Sequence, residues 1–138
     1  MTWHLDTNIC IECLRGTSPL LKQALQNLEP SRIKIPSMVR AELFHGAAKS
    51  AHPERNRELV ELFLAPFESA AFDSTAATEH GRIRSELEAA GQIIGFHDLI
   101  IAATVVAHEG TLVSSNLKEF SRIDGLQLEN WLEMSTAR

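Results

Sequence analysis

The sequence predicts an α/β sandwich built on a mainly parallel central sheet of four to five strands. Two observations carry that prediction. Short apolar runs with strand-like alternation are separated, one after another, by longer stretches with helical spacing, as βαβ units require. The composition is that of an ordinary globular chain: 138 residues, 44% hydrophobic and 22% charged, with no low-complexity stretch, repeat or linker. A chain of this length is expected to form one domain, residues 1–138, without disulfides or a structural metal.

Trp3-His4-Leu5 is a short apolar-rich strand ending at Asp6. Asn8 to Leu14 carries Ile9, Ile11 and Leu14 on a helix, and Gly16 stops it. Ser18-Pro19 opens a second helix, since serine caps well and proline suits a first turn. Leu20, Leu21, Ala24, Leu25 and Leu28 form its apolar stripe, and Pro30 closes it. Arg32 to Pro36 alternates, with Ile33 and Ile35 on one side, and reads as a strand. Ser37 is placed as the cap of a helix through Ala48, and Pro53 starts another with Leu59, Val60, Leu62, Phe63 and Leu64 as its apolar side. Glu68 to Phe72 is a third short strand. Ser74 begins a long helix to Ala90, ended by Gly91. Asp98 begins a helix through His108, with Gly110 as its stop. The run Leu99 to Ala107 is apolar all round, so that helix is expected to be buried. Thr111 to Ser115 and Leu126 to Leu128 supply the last strands.

Composition narrows function. With 13 basic and 18 acidic residues the net charge is −5, which speaks against holding nucleic acid by bulk positive charge. It leaves room for an enzyme whose acids gather at a metal. No apolar run approaches the ~20 residues of a membrane span, and Met1 to Asp6 lacks the features of a signal peptide. Cys10 and Cys13 are too few for a disulfide framework and have no second pair to complete a zinc site, so both are expected in the core. A cytoplasmic, non-membrane protein is the expectation.

In a parallel sheet, ligands sit beyond the carboxyl ends of the strands near a switch in strand order. One strand ends Leu5-Asp6-Thr7-Asn8 and a later one Val113-Ser114-Ser115-Asn116. If both are central, Asp6 and Asn116 emerge at one edge. Glu42 lies on a helix among Val39, Leu43 and Gly46, and Asp98 stands at the mouth of the buried helix, where it is either a cap or a ligand. Clustered carboxylates raise one another's pKa and do not stay ionised alone. A hard divalent cation with oxygen ligands, Mg²⁺ or Mn²⁺, resolves that.

Six segments in order then carry a family resemblance. They are Leu5-Asp6-Thr7-Asn8-Ile9-Cys10-Ile11, Val39-Arg40-Ala41-Glu42-Leu43-Phe44-His45-Gly46-Ala47, Gly81-Arg82-Ile83-Arg84-Ser85-Glu86-Leu87, Ile94-Gly95-Phe96-His97-Asp98-Leu99-Ile100-Ile101-Ala102-Ala103, Leu112-Val113-Ser114-Ser115-Asn116-Leu117-Lys118-Glu119-Phe120 and Gly125-Leu126-Gln127-Leu128-Glu129-Asn130-Trp131. Nearly the whole chain resembles a PIN (PilT N-terminus) domain ribonuclease, specifically a VapC-type toxin of a bacterial toxin–antitoxin pair. The resemblance implies a PIN-like α/β/α sandwich. It implies that Asp6, Glu42 and Asp98 are the three main acidic metal ligands for Mg²⁺ or Mn²⁺. Many members have Asp where this chain has Asn116; members closest in motif keep Asn there and an acid at Glu119, as here. The expected catalytic set is therefore Asp6, Glu42, Asp98, Asn116 and Glu119.

The same resemblance implies a metal-dependent endoribonuclease that leaves 5′-phosphate and 3′-hydroxyl ends. It suggests a structured RNA substrate such as a tRNA, an inhibitory VapB-like antitoxin, contact with operator DNA only through that antitoxin, and a homodimer or larger toxin–antitoxin assembly. The apolar helices Leu20 to Leu28 and Leu59 to Leu64 are candidate surfaces for those contacts. Thr7 and Asn8 are substrate-binding candidates that orient Asp6 or a metal-bound water, or else serve turn chemistry. Arg84 either faces phosphate or pairs with acids on its own helix; Arg82 is read as pairing with Glu79 or Glu86. His97 stands beside Asp98 but outside the catalytic set, and Trp3 and Trp131 are read as packing residues. Two other functions fit the same residues: a housekeeping PIN nuclease of RNA processing or DNA flaps, and a non-catalytic binding module.

Overall fold

The computed structural model describes residues 1–133, so the last five of the expected domain lie outside the described residues. The strands β1 (Trp3–Leu5), β2 (Ile33–Pro36), β3 (Glu68–Ala70), β4 (Thr111–Val113) and β5 (Gln127–Glu129) form one sheet in the order β3-β2-β1-β4-β5. All four neighbouring pairs are parallel. Parallel neighbours need crossover connections. These are supplied by α1 (Thr7–Arg15) and α2 (Pro19–Gln26), α3 (Ser37–Ala48) and α4 (Pro53–Leu64), α5 (Ser74–Ala89) and α6 (Phe96–Ala107), and the single turn α7 (Leu117–Phe120). The chain steps one way from β1 to β3 and the other way from β3 to β4 and on to β5. With right-handed crossovers, that reversal puts α1 to α4 on one face and α5 to α7 on the other.

The central strands β1, β2 and β4 are short and covered on both faces, which is why they read as largely apolar runs, whereas the edge strands β3 and β5 are mostly exposed. Leu5, Ile33, Ile35, Leu112 and Val113 are all buried. The helix α6 is the most deeply inserted: Leu99, Ile101, Ala102, Ala103, Thr104 and Val105 are all buried, as its apolar circumference predicts. Cys10 is buried and Cys13 packs against the same core, so the two cysteines are packing residues. Trp3 and Trp131 pack on each other with ring centroids 6.3 Å apart. Among the described residues no helix is long and apolar enough to cross a membrane.

Several boundaries differ from the sequence-based expectation, each for a local reason. The helix α6 starts at Phe96 with Gly95 as its N-cap, so Asp98 lies in its first turn rather than capping it. Pro36, not Ser37, is the N-cap of α3; the Ser37 hydroxyl instead donates to the Ala70 carbonyl of β3 at 3.2 Å. The helix α5 does start at Ser74 as expected, capped by Asp73, which accepts from the Ala76 amide at 3.0 Å. The strands β3 and β4 stop at Ala70 and Val113, short of Phe72 and Ser115. Gly16 does end α1 in a left-handed conformation, with φ 68°.

The end of α6 departs most clearly. The left-handed residue is Glu109, with φ 54°, and not Gly110. Gly110 is needed for another reason: a Cβ there would overlap the imidazole of His4. His4 is fully buried on β1, where burial first, then the charges of His108 and Lys34, push its pKa down to about 4, so the ring is neutral at pH 7. Gly110→Ala is expected to destabilise the fold by about 1–3 kcal/mol, the usual cost of forcing an atom into a filled site. Urea unfolding checks this; an unchanged midpoint would mean that the His4 ring yields freely.

Candidate metal centre

The site grows from one register. Leu5 of β1 pairs with Val113 of β4, so the next residues, Asp6 and Ser114, leave the sheet side by side. The strand order reverses between these two strands, and a crevice is expected at such a switch point. The Asp6 amide still donates to the Val113 carbonyl at 2.9 Å, which ties the carboxylate to the sheet. The side chain is 3% exposed. Its Oδ1 accepts from the Thr7 amide at 2.8 Å and its Oδ2 from the Ser114 hydroxyl at 2.7 Å.

Two helices and a turn bring the other acids in. The helix α3 carries Glu42, whose Oε1 accepts from the Thr7 hydroxyl at 2.8 Å. Its Oε2 lies 3.5 Å from Nδ1 of His97 on α6. Asp98 stands in the first turn of α6, where the helix dipole favours a carboxylate. The Ser114 hydroxyl oxygen also accepts from the Asn116 amide at 2.9 Å, which turns the chain into α7. As three-residue spacing on a helix predicts, Asn116 and Glu119 then share a face. Asn116 Nδ2 donates to Glu119 Oε2 at 3.2 Å and lies 3.5 Å from Asp98 Oδ2.

Negative charge is concentrated there. Burial raises the Asp6 pKa, the bonds from Ser114 and Thr7 oppose this, and the charge of Glu42 adds to the rise. The Asp98 carboxyl is pushed up to about 6, by burial first and then by Asp6, Glu119 and Glu42. Four carboxylates from four parts of the chain therefore feel one another. Among the described residues, no three His, Cys, Asp or Glu side chains close around a point tightly enough to hold an ion alone. Thr7 and Asn116 lie between the acids. An all-oxygen, strongly anionic set of this kind suits a hard cation that keeps several waters, as Mg²⁺ does, better than one needing a full protein cage.

Asp6, Thr7, Glu42, Asp98, Asn116 and Glu119 are thus one connected constellation. Thr7 is bonded to two of the acids, which makes it a holder of carboxylates. Asn8 is half-buried, and its Oδ1 is buried with no partner among the described residues. Arg84 is not bonded to the acids: it lies 3.8 Å from Glu88 and over the ring of Phe96. Arg82 pairs with Glu79 and Glu86, as expected. Sequence reasoning left Ser114 and His97 out of the site. The signal for Ser114 was the pairing of its strand with β1, which a sequence does not display. Beside Glu42 a groove of about 320 Å³ opens, walled by Ile11, Leu14, Gly46 and Leu59, so the Leu59 helix does present an open apolar surface.

Ionised Asp98 burdens the metal-free fold. Its pKa is about 6 when folded against an ordinary 3.8, so its contribution to stability is present below 3.8 and lost as pH rises through 6. Asp98→Asn is expected to raise the melting temperature in EDTA at roughly neutral pH, with the gain fading as pH falls below about 6. Thermal melts across that range check it; a neutral-pH melting temperature below the parent's would mean that the carboxylate stabilises the fold.

A family model described as "PIN domain" matches residues 4–126. Ribonuclease VapC2 of Rickettsia felis is 40% identical over 95% of this chain and 98% of its own length. A Salmonella typhimurium protein named tRNA(fMet)-specific endonuclease VapC is 39% identical, again over 95% of this chain and 98% of its own. Among solved structures, VapBC2 from Rickettsia felis bound to a DNA fragment from its promoter superposes with a TM-score of 0.89 at 39% identity, covering 95% of this chain and 99% of that one. DNA-bound VapBC from Salmonella typhimurium gives a TM-score of 0.89 at 37% identity, covering 95% and 98%.

Proposed function

The chain belongs to the PIN-domain family, among its VapC ribonucleases, and from that premise we propose that it is a Mg²⁺- or Mn²⁺-dependent endoribonuclease toxin. The observation that carries this reading is the convergence of four carboxylates at the switch between β1 and β4, with the pKa of Asp98 raised by burial and then by the other three. When bound, such an ion supplies an acidified water and charge neutralisation at a phosphodiester. Asp6, Glu42 and Asp98 are its proposed ligands. Glu119 adds a fourth charge, and Asn116 holds that carboxylate in place. Ser114 and Thr7 fix the rotamers of Asp6 and Glu42 before substrate arrives, so little reorganisation is left for the reaction.

The substrate class proposed is structured RNA, and within it tRNA, in keeping with the name of the Salmonella relative. Proteins read unpaired RNA loops best, and a toxin with net charge −5 depends on its site rather than on bulk attraction. The proposed partner is a VapB-like antitoxin, supported by the VapBC composition of the structural neighbours. Operator DNA is then reached only through that partner, in an assembly built on a toxin homodimer in the cytoplasm. The groove beside Glu42 offers an apolar path that reaches that acid. The four acids favour an active nuclease over a non-catalytic module.

Sequencing RNA ends after brief induction tests the reading: new 5′-phosphate ends at defined sites are expected, and their absence would overturn it. Asp6→Asn is expected to lower cleavage more than ~100-fold while keeping the fold, measured as cleavage rate beside circular dichroism. Near-parental activity in excess Mg²⁺ would remove Asp6 from the site. Glu119→Gln is expected to weaken cleavage by ~10-fold or more; Asn116→Asp gives up the amide that donates to Glu119 but adds an oxygen ligand, so it is expected to be tolerated when the divalent ion is supplied. Rate against Mn²⁺ concentration separates the two: an unchanged Glu119→Gln curve together with a dead Asn116→Ala would assign the fourth position to Asn116 alone, and unchanged curves for both would leave a three-acid site.

A further inference from the structure

Phe96 is the first residue of α6 and is 66% exposed, although the rest of that helix is the most buried in the fold. Helix burial therefore gives no reason for an aromatic there. The Arg84 guanidinium, from α5, lies over its ring with 5.5 Å to the centroid. Ile93 beside it is 63% exposed. Together with Leu87, Ile94 and Leu99 they line a cavity of about 70 Å³. That volume is too small for a peptide side-chain cluster but gives the edge of a flat ring somewhere to rest. Two residues further along the same helical turn stands Asp98, and between them His97 reaches Glu42.

We propose that Phe96 and Arg84 form a stacking platform for a nucleobase next to the phosphodiester held at the acids. This rests on the ribonuclease reading. Three features select an RNA base over another occupant. The platform and Asp98 share the first turn of α6, about 3 Å apart along the helix axis, so a base held on Phe96 lies close to a phosphodiester held at the acids. An aromatic face with a guanidinium beside it is how proteins hold unstacked bases, the ring supplying the π-surface and the arginine a charge for the backbone. The cavity between them is only about 70 Å³, too small to seat a helix or strand of a protein partner. The pairing of Arg84 with Glu88 at 3.8 Å is long and solvent-exposed, so the guanidinium is readily redirected toward a phosphate.

The test is binding and cleavage of a fluorescein-labelled single-stranded RNA of about ten nucleotides. Anisotropy in EDTA reads affinity without cleavage, and steady-state kinetics in Mn²⁺ read kcat and KM. Phe96→Ala is expected to weaken binding about 10-fold or more and to raise KM by a similar factor, with kcat little changed. Phe96→Trp is expected to retain the parental affinity. An abasic substitution at the base that stacks there should abolish the difference between parent and Phe96→Ala. Parental affinity and KM in Phe96→Ala would overturn the platform. So would conversion of a dimer to a monomer in that variant by sedimentation, since a second copy would then own the face. If the parent binds the RNA through Phe96 but cleaves none in Mn²⁺ or Mg²⁺, the platform stands and the nuclease reading fails. If the parent cleaves and neither affinity nor KM depends on Phe96, the nuclease reading stands and the platform fails.

Discussion

The bond from the Ser114 hydroxyl to the Asp6 carboxylate, 2.7 Å long and buried, is the constraint on which the site depends. It closes the gap between the two central parallel strands at the point where their backbone ladder ends. A carboxylate buried there without donors would take up a proton or move out to water. Ser114 and the Thr7 amide supply the donors, and the same serine oxygen then receives the Asn116 amide. One hydroxyl thus couples the first acid of the chain to the turn that presents the last. The placement of Glu119 follows from Asn116, and that of Glu42 from Thr7, so each acid traces back to Asp6 through a short chain of hydrogen bonds.

The fold and the site pull against each other. Central strands and α6 are as apolar as a small domain needs. The edge they share collects four carboxylates, and among them the ionisation of Asp6 and Asp98 is disfavoured by burial and by the neighbouring charges. Stored electrostatic cost of this kind is common where function is built into a core. In the proposed nuclease a divalent cation would convert it into binding free energy, which would suit a protein with net charge −5 to an anionic substrate. The rest of the surface need not be basic.

Much of this architecture was legible in the sequence because it depends on local periodicity. Alternation of strand and helix, the apolar circumference of α6 and the stop at Gly16 are each written in consecutive residues. Errors arose where a residue answers to something distant. Gly110 looks like a helix stop, yet its lack of a side chain serves His4, more than a hundred positions away. Ser37 looks like a cap, yet its hydroxyl serves β3. Asp98 looks like the first residue of its helix because Gly95-Phe96-His97 carries no capping side chain, and backbone alone begins α6 there.

The sequence by itself determined the fold class, the acids Asp6, Glu42 and Asp98 as a candidate set, and the choice between Asn116 and Glu119 as the open question. Motif residues keep their order and spacing along the chain, so a one-dimensional reading suffices to find them. Only the tertiary structure decided how they are held. Thr7 became a link between two carboxylates, Ser114 the donor behind Asp6, Asn116 the bridge toward Glu119 and Asp98, and Arg84 a neighbour of Phe96 rather than of the acids. The physical reason is that hydrogen bonds and charge–charge repulsion act over a few ångströms of space. In a parallel sheet with a reversed strand order, bonded residues of the site such as Asp6 and Ser114 are separated by 108 positions of chain.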